Sequence, residues 1–66
     1  MAEYEYREFK SMFEGWVPVH SLNRGTRTEE DWFRANRAGV LAGNFQLARR
    51  PKPEAWECVD PPEDFS

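Results

Sequence analysis

Nucleophilic catalysis needs a thiol or hydroxyl, a base to take its proton and an acid to orient the base. This chain offers few such parts: one histidine, His20, one cysteine, Cys58, and Ser21 beside the histidine. No motif surrounds any of the three. A solvent-facing histidine on an edge strand accounts for His20. Cys58 alternates with Trp56 and reads as a small core residue rather than a reactive thiol. The glycines, at positions 15, 25, 39 and 43, form no phosphate-binding loop. A zinc site takes about four ligands. One Cys and one His would need carboxylates to complete it, and no ligand spacing provides them. The sequence therefore predicts no enzyme activity, no metal and no cofactor.

Arginine is the more informative residue type. Seven of the nine cations are Arg, whose planar fork suits carboxylate or phosphate and stacks on aromatic rings. Arg34 and Arg37, three apart, share a helix face. Arg49 and Arg50 end the strand that follows, with Lys52 just beyond, and Arg24 and Arg27 precede the helix. Gathered beside Trp32, they would form a basic patch suited to phosphates and stacked bases. A plainer arrangement pairs Arg34 with Glu30, leaves Arg37 solvated and uses Arg49 and Arg50 to guard a strand end. The net charge of −3 and the presence of only two lysines weigh against nucleic acid. Trp and Arg dominate many protein interfaces, so Trp32, Arg34, Arg37, Arg49 and Arg50 are the candidate partner-binding residues.

Charge is segregated along the chain. Residues 1–20 carry net −2, residues 21–53 net +4 and residues 54–66 net −5. A bipolar domain of this kind can match the charge pattern of a larger protein, because fields act locally and are screened beyond about 10 Å at 0.1 M salt.

The elements that must position these residues follow from local signals. Thr28 is a good N-cap, and Thr28-x-x-Asp31 is an acidic capping box. Glu29, Glu30 and Asp31 in the first turn suit the helix dipole. These features predict a helix from Glu29 to Ala38 with Gly39 as its C-terminal cap. Trp32 and Phe33 are neighbours and so point about 100° apart, which assigns one to the core and leaves the other for a partner. The segment "YEYREFKSMF" reads as a strand with Tyr4 and Tyr6 on one face and Phe9, Ser11 and Phe13 on the other, with a bulge near Arg7. The alternative is a helix over residues 3–14, stopped by Gly15. Pro18 confines "WVPVHSL" to a sheet edge. "GNFQLARR", with Phe45 and Leu47 inward, and "EAWECVD" form a hairpin broken by "PKP". The fold class is α+β in the order β-β-α-β-β, an antiparallel sheet with one helix packed on one face.

Sixty-six residues make one domain, assigned to residues 1–60 with an acidic tail over 61–66. Such a chain buries only about 60% of its unfolded surface. Ten aromatics can fill that core, alone or shared in a homo-oligomer. No apolar run approaches the roughly 20 residues of a membrane span, and the acidic N-terminus is unlike a signal peptide, so the expected location is cytoplasmic. The expected function is a small non-enzymatic module that docks on and modulates a larger protein. Short cofactor-free chains of this kind are frequent among phage and mobile-element accessory and inhibitor proteins. A second expectation, from another class, is nucleic-acid binding through Arg34, Arg37, Arg49, Arg50 and Lys52. A third is a structural subunit whose aromatics are shared with neighbours in an assembly.

Overall fold

The computed structural model describes residues 4–65. Two hairpins, β1 (Tyr4–Phe9) with β2 (Trp16–Pro18) and β3 (Gln46–Pro51) with β4 (Glu57–Val59), join through antiparallel pairing of β1 with β3. The strand order is β2-β1-β3-β4. Between the hairpins run three short helices, α1 (His20–Asn23), α2 (Glu29–Ala35) and α3 (Arg37–Leu41). The α+β class and the antiparallel sheet are those the sequence predicts, and residues 4–9 are strand rather than helix.

Several details differ from the sequence reading. The ladder between β1 and β3 is continuous from Tyr4–Pro51 to Phe9–Gln46, so there is no bulge at Arg7. Simple alternation already sends Tyr4 and Tyr6 to one face and Phe9 to the other, and both faces carry aromatics. The single helix expected from Glu29 to Ala38 is two helices. Asn36 leaves helical geometry at φ −114°, ψ 21°. Its side-chain Nδ2 and its backbone N–H both donate to the Trp32 carbonyl, at 2.8 and 3.1 Å. Asparagine side chains compete with the helical ladder in this way, and the chain turns before α3 restarts. Gly39 is therefore not a cap. It lies inside α3, where the Phe45 ring occupies the space a Cβ would need.

The α2 start follows the sequence closely. The Thr28 hydroxyl accepts from Asp31 N at 3.2 Å, and Thr28 N donates to Asp31 Oδ2 at 3.3 Å. In α1, Asn23 continues the sheet where β2 has stopped. Tyr6 N donates to Asn23 Oδ1 at 2.7 Å, and Asn23 Nδ2 donates to the Tyr6 carbonyl at 3.1 Å. An amide side chain thus stands in for a strand and fixes α1 to β1.

Val19, Leu22, Trp32, Phe33 and Leu47 form the buried core, with Tyr6, Val40, Phe45, Val59 and Phe65 packed around it. The helices lie on the Tyr6–Leu47–Val59 side of the sheet. Phe65, within the acidic segment expected as a tail over 61–66, packs edge-on against Phe33 with ring centres 5.7 Å apart, while Glu63 and Asp64 beside it are exposed. Among the described residues no helix is long and apolar enough to cross a membrane.

Candidate functional site

The residues singled out in the sequence do not converge. Trp32 is 3% exposed and belongs to the core, as does Phe33. Both are covered because α2 has neighbours on two flanks. Trp32 borders the groove toward β2 and α1 with Val17, Val19 and Ser21, while Phe33 meets Phe65. Trp32, expected among the partner-binding residues, is thus enclosed in the core. Arg34 pairs with Glu30, one turn earlier on α2. Arg37 lies beside the Phe65 ring, 6.0 Å from its centre, and shares a small pocket with Glu30, Arg34 and Asp64.

Arg49 and Arg50 are adjacent on β3 and so point to opposite faces. Arg49 faces the helices. Its Nη1 donates to Glu29 Oε2 at 2.7 Å and its Nε to Glu57 Oε1 at 2.9 Å. The Tyr6 hydroxyl donates to the same Glu29 oxygen at 2.7 Å. These two carboxylates raise the Arg49 pKa still further, so the guanidinium stays charged and is held by two acids. Burial, then the hydrogen bond to Glu29, pushes the Tyr6 hydroxyl up to about 12. This is a closed network that ties α2 to β1, β3 and β4.

The other face of the sheet carries no helix. Register and alternation place Glu5, Arg7 and Phe9 of β1, Trp16 and Pro18 of β2, Gln46, Ala48 and Arg50 of β3, and Cys58 of β4 on it. Trp56, just before β4, joins them. The Arg7 guanidinium sits between two indoles, 4.8 Å from the Trp16 ring centre and 4.2 Å from that of Trp56. The Trp56 ring is shared with Arg50, whose guanidinium carbon lies 4.6 Å from its centre. Arg50 in turn donates to Glu5 Oε1 from Nε at 2.8 Å. At the other end, Phe9 packs on Trp16 with ring centres 5.6 Å apart. The row therefore runs Phe9–Trp16–Arg7–Trp56–Arg50–Glu5, from residues of β1, β2 and β3 and the residue that precedes β4. Ala48, directly opposite Arg7 in the ladder, is only 2% exposed although no helix covers it. The stacked side chains of this row form its cover.

The row continues into the β1–β2 turn. Gly15 N donates to the Ser11 carbonyl at 3.0 Å with Gly15 at φ +63°, a conformation that favours glycine. That turn leaves Met12 at 91% and Phe13 at 101% exposure at its tip. Two large apolar residues so fully exposed stand out in a domain with few core residues.

Sequence reasoning missed Arg7, Trp16 and Trp56 as a group. The signal was present: odd-numbered residues of β1 and even-numbered residues of β3 share a face. A bulge at Arg7 would shift the alternation there, so the sequence does not show that Arg7 shares a face with Phe9 and with the even-numbered residues of β3. Cys58 was placed in the core and is instead exposed on this face. Its alternate, Val59, is the inward residue. His20 is not on a strand but opens α1, just past β2. Since β2 and β4 are opposite sheet edges, about 14 Å separates them, and His20 and Cys58 belong to different faces as well. Searches against protein-family models, curated proteins and solved structures find no match for this chain.

Proposed function

We propose that this chain is a non-enzymatic protein-binding module that docks on a larger protein through the helix-free face of its sheet, with the Met12–Phe13 tip at the border of the contact. The observation that carries this reading is the stack of Trp16, Arg7, Trp56 and Arg50. Trp and Arg are the residues that most often anchor interfaces, and stacking holds them in place before binding, which lowers the ordering cost. The separation of His20 from Cys58 supports the non-enzymatic part. Nucleic acid is the weaker reading, because Arg34, Arg49 and Arg50 are already held by Glu30, Glu29, Glu57 and Glu5. Three of the five cations in that reading are thus neutralised locally. We assign the activity to the cytoplasm, where a lone exposed thiol stays reduced.

The single cysteine lies on the proposed contact and provides the test. A benzophenone probe attached at Cys58 is photolysed in native lysate. A matched probe is placed on the helix layer in a Cys58→Ser/Ala38→Cys variant. The reading expects a discrete crosslinked partner from Cys58, absent from the Ala38 site and lost in Trp56→Ala. The same partner captured equally from both sites, or from neither, sinks it.

A further inference from the structure

The five arginines of the sheet and the α2–α3 segment differ in one respect. Arg34, Arg49 and Arg50 each hold a carboxylate, and Arg37 borders a pocket that contains two. Arg7 has none. No hydrogen bond or ion pair engages it among the described residues, and its Nε is buried without an acceptor. Two indoles lie against its guanidinium and Nε is buried, so what remains available is the edge bearing the terminal nitrogens. A guanidinium edge presents parallel N–H donors at the spacing of two carboxylate oxygens.

From this we infer that Arg7 is a receptor for a single carboxylate, and that the segment docking on the helix-free face is an acidic, extended peptide stretch that places one Asp or Glu side chain on the Arg7 edge between Trp16 and Trp56. This rests on the protein-binding reading and adds to it the partner's chemistry. Charge supports one carboxylate rather than a run of phosphates. Among the described residues of the strands on this face Arg50 is balanced by Glu5, so Arg7 leaves an excess of one positive charge. A nucleic acid would bring several charges per turn of backbone to a chain of net −3. The flanking indoles exclude water from the contact and prevent the Arg7 side chain from swinging away, so a carboxylate meets a fixed fork.

The test is a titration followed by the Arg7 Nε–Hε and the Trp16 and Trp56 indole N–H signals in proton–nitrogen correlation spectra. The probes are an end-blocked heptapeptide, Gly-Thr-Val-Glu-Val-Thr-Gly, its counterpart with Gln at the centre, and a 12-nucleotide oligo-dT. The expected result is saturable movement of all three signals with the Glu peptide, roughly fivefold weaker affinity for the Gln peptide, and no saturable movement with oligo-dT. Arg7→Lys, which keeps the charge but not the fork, should lose the preference for Glu over Gln while its dispersed spectrum reports an intact fold. Equal response to the two peptides, or no response to either, overturns the carboxylate assignment. Tighter binding of oligo-dT through the same signals overturns it in favour of nucleic acid. A partner crosslinked from Cys58 together with an indifferent Arg7 would leave the docking face in place and remove only this inference.

Discussion

The two faces of the sheet share strands, and nearly share residue types, yet they treat arginine in opposite ways. On the helix face Arg49 is enclosed by Glu29, Glu57 and the Tyr4 ring, and Glu29 also takes the Tyr6 hydroxyl. On the open face Arg7 lies against two indoles, and among the described residues no acid pairs with it. One arrangement uses the charge to fasten a helix to the sheet and balances it with two carboxylates. The other holds the side chain still while leaving its hydrogen-bonding edge unspent. In a domain this small, an ordered but unpaired cation is the clearer mark of a binding role than the number of arginines in a stretch of sequence.

If the helix face carries stability and the open face carries recognition, substitutions on the two should separate these properties. The largest effect is expected at Trp32. Trp32→Ala opens the core beside Phe33, with which it makes an edge-on contact at 5.1 Å. The cost is about 3–5 kcal/mol, enough to leave a 66-residue domain largely unfolded in thermal melts followed by circular dichroism. Trp56→Ala on the open face removes stacking on both Arg7 and Arg50. Its stability cost should be about 1–2 kcal/mol, with a cooperative melt retained and partner capture lost. A Trp56→Ala chain that unfolds as completely as Trp32→Ala would mean the open face is a second core rather than a surface. Smaller still, Thr28→Ala should cost about 1 kcal/mol by removing the acceptor for Asp31 N, with no effect on the open face. Urea denaturation resolves a change of that size.

The sequence made the helix face more legible than the open one, for physical reasons. Capping is local, so Thr28 and Asp31 announced the start of α2 correctly. The end of α2 depended on the Asn36 side chain turning back on Trp32, and an amide with several possible partners does not declare which it takes. The antiparallel sheet followed from alternation and from Pro18 at an edge. The site did not. Arg7, Trp16 and Trp56 come from three segments, 9 and 40 residues apart, and it takes the pairing of β1 with β2, of β1 with β3 and of β3 with β4 to bring them together. Arg49 and Arg50 looked like one patch because they are neighbours in the chain, whereas a strand sends neighbours to opposite faces. Short-range grammar was readable, and the site was assembled by long-range register.

The smallest predicted effect tests whether the helix-face network is closed. The Tyr6 hydroxyl is pushed up to about 12, mainly by burial and then by its hydrogen bond to Glu29. An unfolded tyrosine titrates near 10. The folded state therefore holds its proton more tightly than the unfolded one. Its contribution to stability is complete below pH about 10 and is lost as the pH rises from there through about 12. Because Tyr6 is only partly buried, solvent screening should limit the loss to about 1 kcal/mol or less. Subtracting the profile of Tyr6→Phe removes the background from the lysines and from Tyr4. The wild-type chain should lose more stability than Tyr6→Phe across that window, although Tyr6→Phe starts lower for want of the bond to Glu29. Glu29→Gln should shrink the difference, since the carboxylate that resists a phenolate is gone. Parallel profiles for wild type and Tyr6→Phe would show that the hydroxyl is open to solvent, and the contrast between a saturated and an unsaturated face would then rest on Arg49 alone.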